Sequence, residues 1–403
     1  MYDVAVVGGG PVGACAAALL ARGAGGRGLS VALLEPQPPA PLPAGAPLEA
    51  RVVAISRASE RTLASAGAWP EILGPRVCAY ERMRIWHASV APTSAAALLF
   101  DAADVGEPNL GYIVENRLLQ TALLAALVQA GGHIEAVQLS GLRISEDAVE
   151  AHTSGGTFSA RLIIGADGAQ SAVRAAAGLT AESSGYAQTA IVATVATQRP
   201  HEMTAWQRFT KAGTVAFLPL ADGTSSIVWS ADDELAPGLM AASEADFALE
   251  LDRASDLALG ATRLVSARQS FALRRLSAPR YVARRVALIG DAAHVVHPLA
   301  GQGVNLGLLD AAALADLVLA ASAGGEDPGA FGVLRRYERW RKSEVALMSA
   351  AIDAFDRFLA HGSGPLALLA QQGLSWVNRA PELKRVFIRR ALGMSGELPR
   401  AAR

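Results

Sequence analysis

Residues 2–7, YDVAVV, are mostly apolar and β-branched, the pattern of a buried strand, and the small apolar stretch at 14–21 predicts a closely packed helix. Gly8-Gly9-Gly10-Pro11-Val12-Gly13 joins them. A polar, Gly-rich connection at 22–28 leads to a second strand at 30–34 that ends in Glu35, and Pro and Ala then crowd residues 36–47, which read as a surface loop. A helix is expected over 116–130. Two later apolar runs, 162–164 and 286–289, each end in a turn, Gly165-Ala166-Asp167-Gly168 and Gly290-Asp291. Helices follow at 305–321 and from 331 to 359. Between about 180 and 275 the pattern changes to alternation, as at 189–197, 214–218 and 225–230, which predicts an antiparallel sheet. The fold class is α/β: a Rossmann-type domain with an inserted antiparallel β-sheet domain and C-terminal helices. We divide it as 1–75, 111–178 and 280–330 for a discontinuous nucleotide domain, 76–110 and 179–279 for the sheet domain, and 331–403 for the helical region.

The chain has 403 residues, 51% of them apolar, which suits about two domains with a sizeable core. A formal net charge of −1 gives no global attraction to nucleic acid or to an anionic membrane, so any membrane contact is local. Cys15 and Cys78 form no CxxC pair and read as buried thiols in a reducing compartment. No signal-peptide pattern opens the chain, and the apolar stretch 311–321 is broken by Asp316, so a cytoplasmic, non-spanning protein is expected.

The strand, glycine turn and helix at the N-terminus have the make-up of a dinucleotide site. Gly8 permits the tight turn, Gly10 lets the backbone approach a pyrophosphate, Gly13 lets helix pack on strand, and Pro11 and Val12 open a helix whose free N–H groups favour phosphate. Glu35 stands where an acidic side chain hydrogen-bonds a ribose, and its charge disfavours a 2′-phosphate, leaving FAD or NAD. A lone Asp after a buried strand, such as Asp291, is commonly a helix cap. Here it is followed by the glycine-rich loop Gly301-Gln302-Gly303 feeding a helix, an environment that suits the negative charge of a reduced flavin.

Gly8 to Gly13, Asp167-Gly168 and Gly290-Asp291, in this order and spacing, resemble the FAD-dependent aromatic hydroxylases typified by para-hydroxybenzoate hydroxylase, over nearly the whole chain. GDAAHVVHPLAGQGVNLG at 290–307, with TAWQRF at 204–209, FLPL at 217–220 and Trp229, resembles the branch that hydroxylates ubiquinone precursors. One departure is Leu309, where the family often carries Arg. The resemblance implies that Asp291 contacts the flavin ribityl chain. It places the loop with Gly301, Gln302 and Gly303 against the isoalloxazine, with Pro298 and Asn305 as further cofactor contacts. It also puts Arg51 near the pyrophosphate, makes Arg117 a second cofactor contact, and has Asp167-Gly168 serve both FAD and a transient NAD(P)H donor. It implies reduction of the flavin, reaction with O2 to a C4a-hydroperoxide, and transfer of one oxygen to a phenolic, prenylated ring in a cavity closed to water.

No catalytic acid–base pair is assigned. Cavity candidates are His297, Pro298, Phe217 and Trp229, with a plain core role as the alternative for the aromatics. Asp291, His294 and His297 are too tightly spaced around a proline for a metal site, and no GxSxG elbow or GWxWxIP segment is present. The tail after Gly364 mixes Leu, Trp376 and Phe387 with Lys384, Arg385, Arg389 and Arg390, which suits either a membrane or partner surface or a solvated helix face. A prenyl-lipid reductase or dehydrogenase, a hydroxylase of another small phenol, and a flavoprotein without turnover are the competing readings.

Overall fold

The computed structural model describes residues 1–43, 45–297, 301–355 and 380–403. Its first sheet has the strand order Val282–Ala283, Val286–Leu288, Gly156–Gly165, Tyr2–Val7, Val31–Leu34, His133–Glu135. The four pairings inward from Val286–Leu288 are parallel, and a hairpin of Leu139–Ile144 and Val149–Thr153 extends from Gly156–Gly165. The expected parallel core is present, and residues 4–7 and 31–34 at its centre are buried without interruption, as continuous apolar runs require. Helix Pro11–Arg22 packs against helices Asn116–Gln129 and Gln302–Ala323. Its run of Ala14, Cys15, Ala16, Ala17 and Ala18 is fully buried, small side chains that let three helices and a sheet approach closely. Burial pushes the Cys15 thiol up to about 12 and that of Cys78 to about 11, so both behave as inert packing groups.

Among the described residues the second sheet has nine strands. Gln269–Ser277, Glu182–Thr197, Ser225–Asp232, Gly213–Pro219 and Thr204–Thr210 run antiparallel in that order, with Thr262–Leu264 and His294–Val295 at its margins. It is not purely antiparallel: Thr204–Thr210 pairs in parallel with Arg82–His87, which then pairs with Leu98–Asp101. That pairing joins segments more than a hundred residues apart, and alternation within one strand carries no sign of it. Helix Glu244–Ser255 covers one face of this sheet. A small third sheet, Val52–Ser56, Gly111–Glu115 and Cys78–Tyr80, lies beside the helix bundle.

Gln302–Ala323 starts three residues before the predicted helix, with Gly301 at φ +63° at its N-cap. Among the described residues it is the helix long and apolar enough to cross a membrane, yet most of it is buried in the core. Helix Phe331–Phe355 packs along it. Of the basic tail, Trp376 lies outside the described residues. Helix Pro381–Ala391 docks on its own chain: Ile388 and Leu392 pack with Ala102 and Leu110, and Lys384 Nζ lies 2.7 Å from Asp104 Oδ2.

Candidate active site

A single cavity of about 1430 Å³ runs from the N-terminal glycine turn to one face of the second sheet. This exceeds the roughly 300–1,000 Å³ of an ordinary ligand pocket and leaves room for a cofactor and a second molecule. At one end the three glycines meet three different demands. Gly8 sits at φ +102°, and a Cβ on Gly13 would fall 2.0 Å from the Gly8 carbonyl oxygen, so both positions are closed to side chains by the protein itself. A Cβ on Gly10 would meet nothing within 4 Å: its space opens on the cavity, as a pyrophosphate cradle requires. Pro11 and Val12 line the wall beside it.

Glu35 reaches the cavity from the end of Val31–Leu34. Its Oε2 accepts the Gly9 N–H at 2.6 Å and its Oε1 the Gln37 N–H at 3.0 Å, so the carboxylate that lines the cavity also braces the glycine turn. Asp167 and Gly168 line the same wall. Asp167 caps the short helix Ala172–Ala176, accepting from Ser171 Oγ and from the Val173 N–H at 3.0 Å. Arg174 ties this turn to the next, donating to the Ala169 and Ala292 carbonyls at 2.7 and 2.9 Å.

Asp291 is exposed on the cavity wall, with protein on the sides around it. Burial raises its pKa from the ordinary carboxylate value, with His294 and Arg51 drawing it partly back. Beneath it lies a buried network. The Gly290 N–H donates to Asp310 Oδ2 at 3.1 Å, His294 Nε2 lies 2.6 Å from the same oxygen, and Arg341 Nε donates to Oδ1 at 2.8 Å. Neither Asp310 nor Arg341 was picked out from sequence. The available signal was a lone acid inside the apolar run Leu308-Leu309-Asp310-Ala311.

Of the remaining sequence candidates, Gly301, Gly303 and Arg51 line the cavity, while Gln302 lies off its wall. Asn305 holds the loop from behind: it accepts the Ser56 N–H at 3.0 Å and donates to the Ala54 and Gly301 carbonyls at 2.9 and 3.2 Å. Pro298 lies outside the described residues. Arg117 points away from the cavity, donating to the Ala40 carbonyl at 2.8 Å and approaching Glu49 at 3.3 Å, so its visible role is to fasten the proline-rich loop. His297 is fully buried off the wall, 3.0 Å from Gln188 Oε1 and edge-on to Tyr186.

Phe217 and Trp229 are corrected. They occupy the opposite face of the sheet, packed with Val215, Ile227 and Phe247 under helix Glu244–Ser255. The cavity floor is built by the alternate residues of the same strands, Thr214, Ala216, Leu218, Ser226, Val228 and Ser230, as the two-residue period dictates.

The amide-rich glycine turn, the acid at Glu35 and the open space at Gly10 fit an FAD nucleotide, and Asp291 with the Gly301–Gly303 backbone fits its flavin half. The FAD binding domain family matches residues 1–349, and the chain is an FAD-dependent monooxygenase of that family. It is 40% identical to ubiquinone hydroxylase UbiL of Rhodospirillum rubrum, over the full chain and 92% of that protein. It is 36% identical to 3-demethoxyubiquinol 3-hydroxylase of Escherichia coli, covering 97% of this chain and 98% of that one. The chain belongs to the ubiquinone-biosynthesis branch of the aromatic hydroxylases. p-Nitrophenol 4-monooxygenase of Pseudomonas putida shares the fold, with a TM-score of 0.77 at 20% identity over 99% of both chains.

Proposed function

We propose that this chain hydroxylates the aromatic ring of a polyprenyl phenol or benzoquinone precursor of ubiquinone, with O2 as oxygen source and NAD(P)H as transient electron donor. The observation that carries the reading is one continuous cavity that joins the nucleotide turn, Asp291 and a largely apolar sheet floor. The names of the full-length relatives, a ubiquinone hydroxylase and a 3-demethoxyubiquinol 3-hydroxylase, supply the substrate class.

Bound FAD supplies the electron transfer and oxygen activation. The chain supplies position and dryness. Gly10, Val12 and the N-terminus of Pro11–Arg22 would hold the pyrophosphate, Glu35 a ribose, Arg51 further anionic oxygens, and Asp291 the ribityl hydroxyls. The helix N-terminus behind Gly301 would favour negative charge on a flavin bound against it. Ala216, Val228 and Leu218 give the ring an apolar bed that excludes water from the reacting centre. A membrane-dissolved substrate calls for peripheral contact with the bilayer, and Val386 and Arg389, exposed on Pro381–Ala391, are the surface we assign to it.

The gene is tested in strains blocked at each ring-hydroxylation step of ubiquinone synthesis, with quinone and intermediates read by mass spectrometry. Restoration of one step is the expected result and fixes the ring position. Failure in every strain, with FAD bound to the purified protein, overturns the ubiquinone reading in favour of another phenol or a reductase.

A further inference from the structure

The segment 335–342, RRYERWRK, carries five cations and one acid in a chain whose net charge is −1. Helix Phe331–Phe355 parts them by face. Arg341 turns inward to Asp310, Arg336 pairs with Glu326 at 3.1 Å, and Arg335 meets the buried Glu338. Arg339 and Lys342 are exposed and have no carboxylate within ion-pair distance among the described residues; the Lys342 ammonium donates to the Pro279 carbonyl. Just after strand Gln269–Ser277, Arg280 is also exposed and has no acidic partner among the described residues, and its guanidinium lies 5.8 Å from the centre of the Phe331 ring.

These side chains share one surface. Phe331, Arg335, Arg339, Lys342 and Ala346 are spaced four, four, three and four residues apart, which at about 3.6 residues per turn sets them along one strip of the helix. Leu334 and Tyr337 are buried on the side that packs on the core. Beside the strip lies a groove of about 390 Å³ between the helix and Pro279, lined by Arg335, Arg339 and Lys342. The cations alone would suit water. Phe331 does not: its ring is 43% exposed at the end of the strip, with an arginine over its face. An aromatic ring beside unneutralised arginines suits the interface of an anionic bilayer, where the cations meet lipid phosphates and the ring sits at headgroup depth. A free phosphate would use the cations and leave the ring in water.

We propose that Phe331, Arg335, Arg339 and Lys342, with Arg280, form a docking surface for an anionic phospholipid bilayer: lipid phosphates sit between the cations and the Phe331 ring enters the headgroup layer. This rests on the reading of a membrane-dissolved substrate above, and it adds a contact separate from Val386 and Arg389. Because the chain as a whole is close to neutral, the local concentration of charge on this strip, not the net charge, brings the protein to the membrane.

The test sediments the FAD-loaded full chain with vesicles of phosphatidylcholine alone and of phosphatidylcholine with phosphatidylglycerol, as wild type, as the double variant Arg339→Glu, Lys342→Glu, and as Arg389→Glu. Flavin absorbance and circular dichroism melts follow the fold. Wild type is expected to bind the anionic vesicles, to bind neutral ones far less, and to be released as salt is raised. Each basic residue at an anionic surface is worth about fivefold in affinity, so the double variant is expected to bind the anionic vesicles at least roughly tenfold more weakly with its melt and flavin content unchanged. Arg280→Gln, a milder change outside the helix, carries the same expectation at about fivefold and decides the matter if the double variant melts early. Unchanged vesicle binding in the folded double variant, or in Arg280→Gln where that variant decides, overturns the proposal, and loss in Arg389→Glu alone then leaves the membrane contact with Pro381–Ala391. Displacement of wild type by inorganic phosphate at constant ionic strength overturns it in favour of a free anion. Wild type that binds no anionic vesicle overturns this proposal and the membrane-contact reading together.

Discussion

His294 Nε2 and Asp310 Oδ2 lie 2.6 Å apart in a site closed to solvent, directly beneath the turn that carries Asp291. Arg341 closes the network from helix Phe331–Phe355, so a buried carboxylate 16 residues from its histidine and 31 from its arginine sets the position of a cofactor-binding turn. Burial alone would raise the Asp310 carboxyl, but His294 and Arg341 outweigh it and hold the group below its ordinary value.

Asp310→Asn therefore leaves Arg341 buried without its counter-charge. Breaking one partner of such a pair costs about 3–5 kcal/mol, so the variant is expected to melt well below wild type and to lose FAD on purification. A carboxylate depressed in the folded state gives stability that is full above its unfolded pKa of about 3.9 and is lost as pH falls through the lower folded value. The gap in melting temperature between wild type and variant should thus narrow as pH falls below about 4. Circular dichroism melts across the acid range, with flavin absorbance of the same samples, check both statements; a gap that stays as wide after the carboxyl is protonated contradicts this network.

The glycine turn separates folding from binding. Gly10→Val places a side chain in open cavity space and is expected to fold with a nearly wild-type melt but without bound FAD. Gly13→Val drives a side chain into the Gly8 carbonyl and is expected to lose the fold itself. Flavin absorbance paired with circular dichroism distinguishes them, and full flavin occupancy in a folded Gly10→Val protein contradicts the pyrophosphate assignment.

The two faces of Ser225–Asp232 predict opposite phenotypes at adjacent residues. Trp229→Ala empties a core position and should cost about 3–5 kcal/mol of stability while phenol affinity in the folded holoprotein is unchanged. Val228→Trp fills the cavity floor and should abolish phenol binding with FAD retained. Thermal melts and ligand titrations of both variants decide whether the register is assigned to the right face.

What was legible in the sequence is what is encoded locally. The strand, glycine turn and helix of residues 2–22 needed only β-branched residues, a positive φ at Gly8 and close packing at Gly13, each visible in the order of residues. The cavity face of the second sheet was not legible, because both of its faces are covered. Ile227 and Trp229 meet helix Glu244–Ser255 and Val228 meets the cavity, so apolar residues occur at odd and even positions alike. The surroundings of Arg117 were not legible for a related reason: it opens a helix beside the site, but the path of the proline-rich loop that captures its guanidinium has no periodic pattern. The Asp310 network is built from three separated segments, and only the lone acid in an apolar helix hinted at it.

The central claim is that this cavity inserts oxygen into a phenolic ring. The most direct measurement supplies the FAD-loaded protein with NADPH, 2-allylphenol and dioxygen labelled with the heavy isotope, and weighs the product. One labelled oxygen atom in a hydroxylated ring is the predicted result; an unlabelled, reduced or unchanged ring with NADPH consumed contradicts it.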